Sequence, residues 1–199
     1  MDKTNNNEEA ERPYSFITPK EQDLDEVTVP ENIAIKEELE ILLHMAEKYA
    51  DDLNFDISLY VPISNTEINL FEQRTGIRLT DELREFYQFS NGLDASPGTM
   101  SLYCLENVEG LYKQGYCDWA EEGDTENYVL IGSDGGCDYL IMEKATGHIF
   151  WYGDEGEMRD IETIKDMLCL TIDFLYDNVR DFNEDDRIND YLDRNADRL

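Results

Sequence analysis

Two aspartates flank a glycine pair in the segment D-G-G-C-D, a spacing that could bring their carboxylates together. Asp134 and Asp138 could in principle hold a cation or act as an acid–base pair. A calcium site, however, takes about six to eight oxygen ligands, and this loop offers two carboxylates. We therefore predict that Asp134 hydrogen-bonds its own turn and that the pair has a structural role. A hydrolase using the two carboxylates is the alternative.

Other catalytic or metal-binding residue patterns are sparse. No serine or cysteine lies in a G-x-S-x-G turn, so the sequence does not support nucleophilic catalysis. We interpret His148 as a structural histidine at the start of a strand rather than as a general base. The only other histidine is His44, and the cysteines form no C-x-x-C pair. We therefore predict no bound metal and no cofactor, and we expect the cysteines to be buried free thiols. The cysteines are Cys104, Cys117, Cys137 and Cys169.

Acidic loops favour a protein-binding surface instead. A tryptophan among carboxylates suits an interface, where a buried aromatic residue is surrounded by a polar rim. We predict that two such groups contact a partner; the alternative for both is a solvated loop. The first group is Asp118, Trp119, Glu121, Glu122, Asp124 and Glu126, and the second, after Trp151-Tyr152, is Asp154, Glu155 and Glu157.

The overall charge supports that interpretation. The 199 residues include 47 Asp+Glu and 16 Lys+Arg, which gives a net charge of −31. Such a field repels nucleic acid and anionic membranes and speeds encounter with a basic protein. Solubility alone is the other explanation. We expect a cytoplasmic protein, because no signal peptide and no stretch of roughly 20 apolar residues is evident. We also expect a monomer.

Two regions precede the main body of the chain. Residues 1–30 are acidic and contain three prolines, which predicts a disordered or extended arm. Residues 31–60 then begin with apolar residues at helical spacing, from Ile35 to Leu53. This pattern predicts an amphipathic helix, followed by a short strand at Phe55–Val61. We expect both elements to pack on the body, although the helix could instead dock on a partner.

Residues 61–180 contain sequence signals for both helices and strands. Ser64 and Glu67 have the spacing of a capping box, Gly76 suits a helix C-terminus, and Thr80 suits the next N-cap. Strands are predicted at 100–105, 128–131, 139–142 and 148–152, with Gly147 supplying a positive φ angle. Residues 106–112 are predicted to form a helical turn, and residues 163–179 the last long helix. Residues 181–199 form a charged tail with room for one more helical turn.

Three motifs in this order resemble the SUKH superfamily. The first is Glu72-x-x-x-Gly-Ile-x-Leu, the second is the helix 81–90 followed by Asn91-Gly92, and the third is the I-G-S-D-G-G-C-D-Y hairpin at 131–139. The resemblance spans residues 64–180. Thr80 stands where that superfamily usually has proline, and Cys137 where it has glycine. The matching motif positions are Leu79, Asn91, Gly92, Gly132, Asp134, Gly135, Gly136, Asp138, Gly147 and Trp151.

The resemblance implies an α+β fold in which a mostly antiparallel sheet is covered by helices. It also implies a non-enzymatic binding function. Bacterial members are mostly immunity proteins that neutralise toxins, often nucleases, whereas fungal members act as scaffolds. We therefore expect an immunity protein that binds a cognate, basic toxin. The alternative is a scaffold or regulatory module, similar to the fungal regulators of cell-wall synthesis, that docks partners through its acidic arm and first helix.

Overall fold

The structure, a computed structural model, describes seven parts of the chain. They are residues 14–51, 55–96, 101–116, 126–134, 138–153, 157–179 and 184–199. Within them, the helices are α1 (Lys36–Lys48), α2 (Asn65–Thr75), α3 (Asp81–Phe89), α4 (Leu105–Gln114), α5 (Ile164–Asp177) and α6 (Asp186–Arg194). The strands are β1 (Asp56–Leu59), β2 (Leu93–Ser96), β3 (Ser101–Leu102), β4 (Tyr128–Ser133), β5 (Tyr139–Glu143), β6 (Ile149–Tyr152) and β7 (Met158–Glu162).

The strands form one antiparallel sheet in chain order, β1 to β7. Each strand therefore pairs with the next strand along the chain, as in a meander. The register between β4 and β5 shifts at Ile131, because Leu130 pairs with Ile141 while Gly132 pairs with Leu140. With helices packed on this sheet, the predicted α+β fold is confirmed.

The main core lies between one face of the sheet and the helices. Helix α5 is its centre, since it contacts α1, α3, α6, β2 and β7. Apolar residues from α1, such as Leu39 and Met45, share this core with Val129, Met142 and Ile149 of the sheet. Burying a side chain of this size stabilises the fold by about 1.5–3 kcal/mol.

Local sequence explains where the second and third helices begin. Ser64 accepts a hydrogen bond from the Glu67 amide while Glu67 accepts one from the Ser64 amide, so the predicted capping box is confirmed. The Thr80 hydroxyl accepts the Leu83 amide and begins α3. Gly147 has a φ of +78°, the left-handed conformation predicted for that loop.

The described part of the N-terminal region follows an extended path over the body. The Gln22 amide donates to the Leu59 carbonyl, and the Val61 amide donates to the Lys20 carbonyl. Residues 20–22 thus pair along the outer edge of β1. Further upstream, the Tyr14 hydroxyl bonds to Asn107 Oδ1 at 3.0 Å. Residues 1–13 lie outside the described residues.

Several elements differ from their predicted bounds. The sequence does not predict strands β2 and β7, because both are short and only one residue of β7, Ile161, is buried. The strand predicted at 100–105 has β structure at Ser101–Leu102, and α4 begins at Leu105 because Cys104 takes the N-cap position. Helix α6 is nine residues long rather than a single turn, since its apolar side packs on α5.

Candidate protein-binding surface

Glu72, the acidic residue of the first sequence motif, has a structural role. The residue is 7% exposed, and its carboxylate accepts the Leu79 amide at 3.0 Å. It also pairs with Arg84 at 2.9 Å and Arg78 at 3.2 Å. Burial would raise the pKa of Glu72, but these donors and cations hold it below its ordinary value. Glu72 therefore fixes the turn that joins α2 to α3.

The Ser90-Asn91-Gly92 motif ties three elements together. The buried Ser90 hydroxyl accepts the Tyr60 amide at 2.8 Å and donates to the Gly92 carbonyl at 2.5 Å. Asn91 Oδ1 accepts the Leu105 amide at 3.1 Å, at the start of α4. Because each of these buried polar atoms has a partner, the motif joins β1, α3 and α4 at little cost.

The aspartate pair also serves the fold. Asp134 Oδ1 accepts the Asp138 amide at 3.2 Å, and the Asp134 amide donates to the Asp138 carbonyl. Asp138 Oδ2 accepts the Trp151 indole N–H at 2.8 Å, which orients the indole toward Phe174 of α5. The two side chains thus shape the β4–β5 hairpin, as the sequence predicts for Asp134. Gly135, Gly136 and Cys137 lie outside the described residues.

Histidine and cysteine do not form a reactive cluster in the described parts of the chain. His148 is exposed, and its amide donates to the Thr146 hydroxyl. Cys104 and Cys169 are buried free thiols, and burial raises the pKa of Cys104 to about 11. Such thiols stay protonated and unreactive at neutral pH. Among the described residues there is no group of three or more His, Cys, Asp or Glu placed to hold a metal ion.

Two of the predicted partner-binding residues can be located. Glu126 and Glu157 are both exposed. Glu126 lies just before β4, where Lys144 donates its amide to Asn127. Glu157 lies just before β7, where its carbonyl accepts the Gly153 amide. The other predicted positions, Asp118, Trp119, Glu121, Glu122, Asp124, Asp154 and Glu155, fall outside the described residues and stay predictions.

An aromatic sheet face lies between these two acidic positions. Paired residues of antiparallel strands point to the same side, and here the pairs are Leu130 with Ile141, Ile141 with Phe150, and Tyr139 with Tyr152. We call this surface the tyrosine face. Its residues are Tyr128 and Leu130 of β4, Tyr139 and Ile141 of β5, and Phe150 and Tyr152 of β6.

The tyrosine face is the opposite side of the sheet from the helical core. Its alternate neighbours, Val129, Met142 and Ile149, belong to the main core. On the tyrosine face itself, Leu130 and Ile141 are buried, whereas the aromatic residues are half-buried. Within the described residues, the packing partners from outside the sheet come from α4 and its flanks and from Tyr14. Part of the aromatic surface is therefore accessible.

Acidic residues lie at both ends of the tyrosine face. Tyr128 pairs with Glu143 at one end, close to Glu126. Tyr152 pairs with Met158 at the other end, close to Glu157. The five residues of β5 separate the two ends by roughly 14 Å. Met158 is 44% exposed and extends the apolar surface across β7.

A cleft of about 650 Å³ opens between α4 and β4 at one end of this face. Its walls include three tyrosines, Tyr112, Tyr116 and Tyr128, and two lysines, Lys113 and Lys144. The Lys144 ammonium group lies 5.2 Å from the centre of the Tyr112 ring, a cation–π distance. Lys113 is paired with Glu109, and Glu126 also lines the cleft, so this end of the face carries groups of both charges.

The sequence carries a signal for the tyrosine face. Its three strands are predicted above, but their aromatic residues are interpreted there only as strand formers. Aromatic and apolar residues recur at every second position in Tyr128-x-Leu130, Tyr139-x-Ile141 and Phe150-x-Tyr152. In consecutive antiparallel strands, such alternation places them on one face. The contribution of β7 could not be found, because β7 itself was not predicted.

A comparison with known protein families matches the part of the chain that contains the three motifs. Residues 62–184, more than half of the chain, match the model of the SMI1 / KNR4 family (SUKH-1). The chain belongs to the SMI1 / KNR4 family (SUKH-1). This family generally contains non-catalytic immunity and regulatory domains. A search of curated proteins found no match.

Membership of SUKH-1 favours a protein as the partner. The matched range includes the tyrosine face and both acidic loops, and it excludes α1, α6 and the described N-terminal residues. Within the described residues, no helix has the length and hydrophobicity to cross a membrane.

Proposed function

We propose that this chain is a cytoplasmic, non-enzymatic immunity protein that binds and neutralises a cognate toxin with a basic surface. One observation carries the proposal, namely the partly accessible tyrosine face with acidic residues at both ends. Aromatic residues dominate the binding energy of protein interfaces, and peripheral charges steer the partner toward them. A monomer could offer the whole surface to one toxin domain.

A nuclease-type toxin fits this surface well. Enzymes that act on nucleic acid carry basic surfaces to bind phosphate. Carboxylates at Glu126, Glu143 and Glu157 could occupy the places of phosphates, and the tyrosine rings could cover the substrate-binding surface. A contact of standard size buries about 1,600 Å² in total.

Co-expression provides the direct test. We expect the chain to relieve the toxicity of the toxin domain encoded next to it and to form a complex with it at low salt. Unrelieved toxicity together with no complex would remove the proposal. Purified protein should be assayed in parallel for hydrolase activity, because turnover that depends on Asp134 or Asp138 would replace the proposal with the enzymatic alternative.

A pair of alanine variants tests whether the tyrosine face makes the contact. Tyr152→Ala removes one of its half-buried rings, and we expect at least about a tenfold loss of toxin affinity, as for an interface hot spot. Phe174→Ala removes an exposed aromatic ring on the helical side, where it packs on Trp151. That control should change the affinity less than about twofold.

The second candidate function is a non-enzymatic scaffold or regulatory module. Helix α1 and residues 20–31, which lie outside the family match, favour it because they carry many carboxylates. A pull-down separates the two functions. Recovery of signalling or cytoskeletal proteins, and of no basic toxin, would support the scaffold.

A further inference from the structure

A groove runs along α1 on its outer side. Residues 24–31 form one wall and α1 forms the other, and the groove encloses about 840 Å³. Its floor consists of half-buried apolar side chains that rest on the main core, Leu24, Val27, Leu43 and Ala46. The volume is in the range of pockets that bind ligands, several hundred Å³. An apolar floor of this kind gains free energy when another apolar group covers it.

The rim of this groove is acidic. Its charged lining consists of four carboxylates and one guanidinium, those of Asp25, Glu31, Glu40, Glu47 and Arg187. Lys36 neutralises part of the rim, since its ammonium lies 2.6 Å from Glu31 and 3.5 Å from Glu40. Asp25 and Glu47 are exposed and form no ion pair with any residue that the structure describes. An incoming cation would therefore meet carboxylates that no described cation already occupies.

The groove and the tyrosine face lie on opposite sides of the sheet. The apolar side of α1 packs on the main core together with Met142 and Ile149, which face away from the tyrosine face. The groove lies on the outer side of α1 and its floor rests on that core, so it is on the same side of the sheet as α1. Its lining residues, from Leu24 to Ala50 and Arg187, all lie outside the family match at 62–184.

We propose that this groove binds a segment of a partner protein that has apolar side chains flanked by lysine or arginine. The apolar floor would take the apolar side chains, and the carboxylates of Asp25 and Glu47 would pair with the cations. Charge excludes the other occupants. A nucleic acid or an anionic membrane would be repelled by the rim, and a second copy of the chain would bring a further net charge of −31.

This proposal does not depend on toxin binding. Because the two surfaces are on opposite sides of the sheet, the chain could hold a partner at each of them simultaneously. A variant that abolishes binding at the groove should therefore leave binding at the tyrosine face unchanged. Failure of one proposal does not decide the other.

The test uses the full chain and a synthetic peptide of leucine and lysine arranged to be amphipathic as a helix. A peptide with glutamate in place of lysine is its control. Backbone amide resonances of the ¹⁵N-labelled protein report the binding position. We expect the lysine peptide to shift resonances of residues 24–31 and 40–50, and the glutamate peptide to shift none. Shifts spread evenly over the acidic surface, or no binding at low salt, would overturn the proposal.

Charge-reversal variants distinguish specific binding in the groove from general attraction of the basic peptide to the acidic protein. The variant D25K/E47K should weaken peptide binding at least tenfold. The matched variant D193K/D197K makes the same charge change at exposed positions that do not line the groove, and it should weaken binding less than threefold. Equal losses in the two variants would contradict the proposal.

The apolar floor needs its own variant, because charge alone does not prove insertion. Ala46→Glu places a carboxylate on the floor within a helix, where glutamate forms helix nearly as well as alanine. We expect a loss of at least tenfold despite the added negative charge. Tighter binding of the lysine peptide to A46E would show that only charge matters and would overturn the proposal. Concentration-dependent dimers that D25K/E47K disrupts would instead assign the groove to self-association.

Discussion

The backbone of β3 passes so close to Gly132 that a side chain has no room there. A Cβ atom at this position would lie 2.1 Å from the Ser101 carbonyl oxygen. We expect Gly132→Ala to lower the free energy of unfolding by about 1–3 kcal/mol, as overpacking does, because β3 and β4 must separate. Urea denaturation measures the change.

Gly115 supplies the control for this substitution. Its φ is positive, +65°, but an added Cβ would meet no atom of the described residues within 4 Å. Gly115→Ala therefore adds only backbone strain of about 1 kcal/mol. Equal losses in the two variants would show that the contact with Ser101 does not matter.

Asn91 allows a second test at the scale of one residue. Its side chain accepts the Leu105 amide and donates to Glu106. Asn91→Ala would leave the buried Leu105 amide without an acceptor, which costs about 1–3 kcal/mol. Gln88→Ala removes an exposed amide that bonds to the preceding turn of its own helix and should cost less than about 0.5 kcal/mol. The urea midpoints of the two variants give the comparison, and a neutral Asn91→Ala would contradict the linking role of the motif.

At the scale of elements, the sequence predicted best where periodicity and capping residues act together. The capping box at Ser64 and the stripe of α5 are local signals, so both elements were found. Strands β2 and β7 were missed because their positions depend on neighbouring strands rather than on their own residues. Alternation in the sequence indicates one aromatic side for each of three strands, but only the register of the sheet shows that the three sides form a single tyrosine face.

Helix α6 shows how a single carboxylate can hold an element in place. Asp185 accepts the Ile188 amide at the start of α6 and pairs with Lys48 and His44 of α1, at 2.6 and 2.8 Å. Tyr191 of α6 adds a hydrogen bond to the buried Glu38 of α1. Burial would raise the pKa of Asp185, but the Lys48 ammonium and the hydrogen bonds from the His44 ring and the Ile188 amide hold it far below its ordinary value.

This depressed pKa predicts how α6 responds to acid. A carboxylate whose pKa is lower in the folded state stabilises the fold above its unfolded pKa, about 3.9, and loses that effect as the pH falls further. At pH 7 we expect the free energy of unfolding of the wild type to exceed that of D185N by about 1.5–3 kcal/mol. The difference should shrink from about pH 4 downward. Urea unfolding across this range measures it.

The exposed Asp193 is the control for that experiment. D193N removes a carboxylate from the same helix at an exposed position, and its stability should differ little from wild type at any pH. If the difference in free energy of unfolding between wild type and D185N stayed constant from pH 7 to pH 2, the stabilisation would come from the shape of the Asp185 side chain rather than from its charge.

At the scale of the whole molecule, the net charge of −31 must affect folding and binding in opposite directions. Two like charges 10 Å apart in water repel by about 0.4 kcal/mol. Salt shortens the screening length from about 30 Å at 0.01 M to about 3 Å at 1 M. The folded chain concentrates its carboxylates, so added salt should stabilise it, whereas attraction to a basic partner should weaken.

We therefore expect the free energy of unfolding to rise by on the order of 1–2 kcal/mol between low and high salt, since screening a handful of like-charge pairs is enough. Over the same range the association rate with a basic toxin should fall at least tenfold, because steering depends on unscreened charge. Urea titrations and stopped-flow mixing measure the two effects, and sodium and tetramethylammonium chloride should act alike. If salt left the association rate unchanged, the acidic residues around the tyrosine face would have no part in steering. The aromatic rings would then have to account for binding by packing alone.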